Sequence, residues 1–222
     1  MTDRRRLLLV RHGVTDWNRE GRFQGHLDPP LADDGLMEAE LLADRLAGDE
    51  LLRPARIISS TLARARQTAE AIGRRVGVAV EPDGRLIEIG QGEWEGRTHD
   101  DLAATDADRY DAWRRDDGIR QPPGGESIDA AADRVSALLA GLEEDRWPIC
   151  LVSHGGTLRI LARVLLQASA TGSWSLDVDN ASLSVCSSSG DGWRLDRWND
   201  SFHLLGSTPT HVDEIEGRPL AL

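Results

Sequence analysis

The sequence predicts an α/β fold organised on a mostly parallel central sheet, with an antiparallel hairpin at its C-terminal edge. Three observations predict it. The short apolar runs Leu7-Leu8-Leu9-Val10, "RIISS" and "ICLVS" are bounded by charge, proline or glycine, as buried strands are, and "VAVEP" reads as a further strand. Helical spacing follows three of these runs, and a strand, a helix and a second strand within about thirty residues fit a parallel crossover. "SLSVCSS" and "WRLDRW" flank Gly190-Asp191-Gly192, a hairpin signal.

In chain order, the first strand runs into Arg11-His12-Gly13. The polar stretch "VTDWNREGRFQGHLDPPLADDG" then reads as a loop of about twenty residues, a length that in a compact domain usually marks function. Leu36 to Leu46 has helical spacing, with Asp33 or Asp34 available as N-cap and Gly48 as stop. Thr61 to Val76 reads as a helix ended by Gly77. "RLIEIGQGEWEG" isolates Glu88 between Ile87 and Ile89. His99 to Asp117 reads as one charged helix holding Tyr110 and Trp113, and "IRQPPGGES" breaks it. Helical spacing resumes from Ser127 to Glu144. After "ICLVS" come His154-Gly155-Gly156-Thr157 and a helix to Gln167. Residues 91–125 look like an excursion from the sheet, so 1–222 is expected to form one domain.

Composition narrows the chemistry. The chain has 40% hydrophobic and 29% charged residues and a net charge of −12, which fits a globular protein and disfavours nucleic acid or anionic membranes as partners. The triplet Arg4-Arg5-Arg6 reads as a solvated tail. All 26 basic residues are arginine. Without lysine there is no Schiff base, no pyridoxal phosphate linkage and no P-loop lysine, so any anion clamp must use Arg, His and backbone N–H groups. Cys150 and Cys186 lie in separate apolar runs without metal spacing and read as small buried hydrophobes. No stretch approaches the roughly 18 apolar residues of a membrane span, and the N-terminus lacks a signal-peptide pattern, so the cytoplasm is the expected location.

Two strands ending in His-Gly are the main chemical signal. Arg11 and His12 alone fit a polar strand cap as well as an anion site. His154 repeats the pattern, and Arg64 falls about one turn into a helix whose positive end favours anions. A phosphoryl group in transit spreads charge over its equatorial oxygens, which calls for several donors around one point. Arg11, Arg64 and His154 can supply them, and His12 can attack phosphorus in line. Glu88, apolar on both sides, reads alone as a salt-bridged edge residue; beside the other four it fits a general acid with a pKa raised by desolvation. His12, His154 and Glu88 could on composition also bind a metal, and a phospholigand-binding protein without turnover is a further reading.

The motifs "RHGVTDWNREGRFQGHLDPPLADDG", "SSTLARARQTA", "LIEIGQGEWEG", "PPGGES" and "LVSHGG", with the later "NASLSV", occur in an order that resembles the histidine phosphatase superfamily. That family holds phosphoglycerate mutases and many small-molecule phosphatases. The resemblance implies a phosphoglycerate mutase-like, three-layer α/β/α fold, with the excursion at 91–125 forming part of a lid. It implies a metal-independent, cofactor-free phosphomonoesterase acting on a small phosphorylated metabolite. His12 would be the phosphorylated nucleophile, flanked by Arg11; Arg64 would clamp the phosphate, His154 would complete the pocket and Glu88 would be proton donor, then base. Asn18, Gln24, Gly25 and the backbone at Gly155 match pocket-lining positions, with Thr15 a weaker member, and a homodimer is implied, the hairpin edge being one contact.

The mutases follow a Trp-Arg-Arg element with a long insertion. Here Trp113-Arg114-Arg115 is present, but "PPGGES" follows at once, and His99 stands where the mutases place lysine. These departures favour a phosphatase over the alternative, a cofactor-dependent phosphoglycerate mutase or a mixed enzyme. Arg114 and Arg115 fit either a grip on a second anionic group of the substrate or a solvated helix face among Asp111, Asp116 and Asp117. His26 reads as an exposed loop histidine, Trp17 and Trp94 as packing around the mouth of the site, and His203 and His211 receive no role.

Overall fold

The computed structural model describes residues 5–115, 121–142, 146–169, 175–188 and 192–205. Arg4, Asp116, Asp117, Glu144, Gly190, Asp191 and His211 lie outside these residues. Strands β1 (Arg5–Arg11), β2 (Arg56–Ser59), β3 (Val80–Pro82), β4 (Ile149–Ser153), β5 (Leu183–Ser188) and β6 (Trp193–Asp200) form one mixed sheet in the order β3-β2-β4-β1-β5-β6. The first four in that order run parallel, and β5 and β6 join antiparallel.

Strand side chains alternate between faces, and the apolar runs of β1, β2 and β4 are buried on both, while edge strand β3 is largely exposed. Leu7 and Leu9 of β1, Ile58 of β2 and Ile149 and Leu151 of β4 pack into one core. Leu8, Val10, Ile57, Cys150 and Val152 pack into the other. The register Leu7↔Ile149 and Leu8↔Cys150 keeps the two sets in phase across adjacent strands. Helices α6 (Ile128–Ala140) and α7 (Gly155–Leu166) cover the first face through Val135, Leu138, Leu158 and Leu161. On the second face lie α2 (Asp33–Gly48) and α3 (Ala63–Val76), through Leu42, Leu46, Ala69 and Ile72. The result is the expected three-layer α/β/α arrangement. Truncating any of these leucines to alanine would cost about 2–5 kcal/mol.

Cys150 and Cys186 are free, buried and on opposite faces, so they act as core residues, and burial pushes each thiol up to about 12.

Several boundaries differ from expectation. The long polar loop contains a short helix, α1 (Asp16–Arg19), because Thr15 and Asn18 form a reciprocal capping box. Ala32, not an aspartate, occupies the N-cap of α2, and Asp33 and Asp34 lie in its first turn, where the helix dipole favours acid. The single helix expected over 99–117 is two: α4 (His99–Thr105), capped by Thr98, and α5 (Ala107–Arg115). Asp106 separates them in a non-helical conformation, its carboxylate accepting from Trp94 Nε1 at 2.9 Å and Arg109 Nε at 2.7 Å. Phe23, Trp94, Leu102, Tyr110 and Trp113 make a separate aromatic core under these helices. Trp94 is fully buried there and so is not at the mouth of the site, whereas Trp17 is half-buried with Arg22 6.0 Å from its ring centre. Among the described residues no helix is long and apolar enough to cross a membrane.

Candidate active site

Adjacent parallel strands carry the two histidines. Arg11 of β1 is in register with Ser153 of β4, so His12 and His154 emerge side by side at the carboxyl ends, where α/β sheets bind ligands. Their ring centres are 5.1 Å apart. Pairing continues one residue past the strand, His12 N–H donating to the Ser153 carbonyl at 3.0 Å. Beyond it, Gly13 packs against Gly35 so closely that a Cβ on Gly13 would lie 2.4 Å from the Gly35 carbonyl oxygen.

The His12 ring is fixed by its own loop. Nδ1 lies 2.7 Å from the Gly13 carbonyl, which can only accept, so Nδ1 carries the proton. Burial, then the charges of Arg64 and Arg11, hold His12 well below the usual imidazole range. The ring is therefore neutral at pH 7, with its lone pair on Nε2.

Arg64 lies in the first turn of α3 and is fully buried. Its Nη1 donates to the Leu27 carbonyl at 2.8 Å and its Nη2 to the Gly25 carbonyl at 2.9 Å. Burial pushes its guanidinium down to about 10 against the opposing pull of Glu88 and Asp28, so it stays charged at neutral pH. Arg11 Nη1 donates to the Val178 carbonyl. His154 Nε2 lies 2.8 Å from Ser60 Oγ, and burial, then Arg64, His12 and Arg11, hold its ring well below the usual range. Arg11 Nε, Arg64 Nε and His154 Nδ1 are all buried without a hydrogen-bond partner among the described residues.

Glu88 is buried at the N-terminus of α7. Its Oε1 accepts from Ile89 N at 2.9 Å and Thr157 N at 3.1 Å, and its Oε2 from Gly156 N at 3.2 Å. The apolar neighbours read from the sequence are thus only part of its surroundings; most of its immediate contacts are backbone donors. Gly156 gives the carboxylate room, since a Cβ there would lie 2.8 Å from Oε1 and displace the Glu88 side chain.

The remaining candidates divide. Gly155 lies against Arg11, its absent Cβ 3.6 Å from Arg11 Nε. Gln24 is buried with Oε1 unpartnered among the described residues, and Gly25 supplies the carbonyl that grips Arg64. Asn18 Oδ1 accepts from Thr15 Oγ1 at 2.9 Å and from Asn180 Nδ2 at 3.3 Å. The Thr15 hydroxyl proton is therefore committed to Asn18. Arg114 and Arg115 are exposed on α5, Arg114 with its guanidinium 5.9 Å from the Tyr110 ring centre, and the hydrogen bonds above run without them. His26 is exposed as expected, yet its Nε2 donates to the Glu88 carbonyl at 3.0 Å.

Sequence reasoning missed a supporting set. Ser60 contacts His154, Thr157 contacts Glu88, Asn180 Nδ2 donates to the His12 carbonyl at 3.1 Å, and Glu38 accepts from Val14 N at 2.8 Å. Two of them, Ser60 and Asn180, stand inside the quoted motifs "SSTLARARQTA" and "NASLSV", and Thr157 and Glu38 lie one and three residues past "LVSHGG" and "LADDG", which was the available signal. Among the described residues no group of three or more His, Cys, Asp or Glu is arranged to hold a metal ion.

A sheet that delivers paired histidines into a nest of arginines defines a phosphoryl-handling class, and the chain belongs to the histidine phosphatase superfamily (branch 1), matching it over residues 7–201. It is 37% identical over 224 aligned positions to the glucosyl-3-phosphoglycerate phosphatase of Mycobacterium tuberculosis, covering 89% of this chain and 95% of that protein. To the metal-independent phosphoserine phosphatase of Arabidopsis thaliana it is 34% identical over 204 positions, covering 89% and 82%. A solved mycobacterial glucosyl-3-phosphoglycerate phosphatase, in complex with VO3, is similar with a TM-score of 0.80 at 37% identity, covering 88% of this chain and 99% of that one. These relatives are phosphatases of small phosphorylated molecules.

Proposed function

We propose that the chain hydrolyses a small phosphomonoester through a phosphohistidine on His12, with Glu88 moving the proton and no metal ion taking part. One observation carries this reading: three buried, unmatched polar atoms, Arg11 Nε, Arg64 Nε and His154 Nδ1, accompany a neutral histidine whose free lone pair is on Nε2. Buried groups of this kind are normally paired, so a cluster of unpaired ones marks the place of a ligand.

In the first step His12 Nε2 attacks phosphorus as the bond to the departing alkoxide breaks, and Glu88 gives that oxygen its proton. Charge on the equatorial oxygens meets Arg11, Arg64 and His154. In the second step the Glu88 carboxylate takes a proton from water, the water oxygen attacks the phosphohistidine, and phosphate leaves with His12 restored. Hydrolysis rather than retention is supported by the short path from α5 to the 121–125 turn, since only residues 116–120 intervene. The relatives' names supply a substrate class: glucosyl-3-phosphoglycerate and phosphoserine each carry a carboxylate near the phosphate ester.

The test is phosphate release from a panel of phosphomonoesters by wild type and His12→Ala, with and without EDTA. The expected result is turnover that survives chelation, and a His12→Ala protein that folds but forms no acid-labile phosphoenzyme and releases no phosphate. Near-wild-type turnover by His12→Ala would refute the mechanism.

A further inference from the structure

We infer that Ser60 fixes the tautomer of His154 and thereby aims an N–H, rather than a lone pair, at the bound phosphate. The inference rests on the phosphate-site reading above and makes Ser60 a positioning residue that never touches substrate. Ser60 is fully buried just beyond β2, anchored by its backbone N–H to the Val152 carbonyl at 2.9 Å. β2 and β4 are neighbours with Ser59 in register with Val152, so the residues following each strand, Ser60 and His154, are brought together by the sheet itself.

The hydroxyl has one proton and two lone pairs. One lone pair accepts the Leu62 N–H at 3.2 Å, and His154 Nε2 lies 2.8 Å away. With its proton directed at Nε2, Ser60 makes that nitrogen an acceptor, and the ring proton must stand on Nδ1. Nδ1 is the buried atom left without a partner among the described residues. The reverse arrangement would put a lone pair against phosphate oxygens and leave the Ser60 proton without an acceptor among the described hydrogen bonds. The neutral state of the ring, enforced by burial and the adjacent arginines, is what makes the choice of nitrogen matter. Second-sphere partners of this type commonly set which histidine nitrogen is protonated.

The test is the nitrogen-15 spectrum of the histidine rings in the folded enzyme, free and with vanadate, the His154 signals being assigned through His154→Gln. Wild type should show His154 protonated on Nδ1. Ser60→Ala should show mixed tautomers, with kcat on p-nitrophenyl phosphate falling about tenfold or more and inorganic phosphate binding more weakly in parallel. A wild-type His154 carrying its proton on Nε2 overturns the inference even if Ser60→Ala does not fold. So does a Ser60→Ala enzyme with unchanged tautomer and kcat. Failure of the underlying site reading looks different: His12→Ala would stay active and vanadate would leave the His154 signals unmoved.

Discussion

Thr68 holds Gly13. The Thr68 hydroxyl accepts the Gly13 N–H at 3.1 Å while donating to the Arg64 carbonyl at 2.9 Å, one turn earlier in α3. A single hydroxyl thus joins the loop that fixes the His12 ring to the helix turn that carries Arg64. Thr68→Val keeps the shape but leaves a buried N–H unpaired, which costs about 1–3 kcal/mol. Urea unfolding should show that loss, and kcat should fall with it, whereas Thr68→Ser should keep most of both. A Thr68→Val protein as stable and active as wild type would contradict the link.

Gly35 faces the same loop from α2. An added Cβ would lie 2.1 Å from the Val14 carbonyl oxygen, a backbone atom that cannot swing aside. Gly35→Ala should therefore destabilise by about 3 kcal/mol. Gly48, at the end of the same helix, has nothing within 4 Å, and Gly48→Ala should instead stabilise by about 0.4–1 kcal/mol. Melting curves of the two variants should move in opposite directions.

Stability should depend on pH through the buried histidines. His12 and His154 have folded-state values well below their ordinary one, so below about 6.5 the unfolded chain binds more protons than the folded one. Stability is then complete above pH 6.5 and is lost as pH falls toward the folded values, with a slope approaching about 2.7 kcal/mol per pH unit for two protons. His203, lowered to about 4 by burial and Arg45, adds to the loss between 6.5 and 4. Denaturant unfolding from pH 7.5 to 4.5 should show this, and His12→Asn/His154→Gln should flatten the slope whatever its absolute stability. An unchanged slope in the double variant would remove the assignment.

Arg114 offers a test of substrate class. If it meets a second anionic group, Arg114→Ala should lose about tenfold in kcat/KM on phosphoserine and phosphoglycerate-type esters and little on a neutral phosphomonoester. Equal loss on both classes would remove that grip on a second anion, and no loss on either would leave Arg114 as part of a solvated helix face.

β1, β2 and β4 were legible because their apolar runs are buried on both faces, and burial on both faces leaves a continuous hydrophobic signature. His12, Arg64 and His154 were legible because they stand at the ends of such runs or at a helix start, and Glu88 because it is a lone charge between two isoleucines. Ser60, Glu38 and Asn180 were not, since their meaning depends on partners 94, 24 and 168 residues away. The break at Asp106 was hidden for the same reason: the Trp94 indole that holds its carboxylate is a tertiary contact. Trp94 itself looked like a rim residue because aromatic burial under an excursion has no periodic pattern.

The placement of the paired histidines on β1 and β4 also bears on how the molecule comes apart. These strands are the middle of the sheet, gripped by both apolar layers, whereas the aromatic core of Phe23, Trp94 and Trp113 is a separate cluster. Opening events that loosen one cooperative unit need not disturb another. The amides of the aromatic unit should therefore exchange before those of Leu9, Val10 and Val152, which hydrogen exchange would show. The paired histidines are thus held by the part of the molecule expected to let go last.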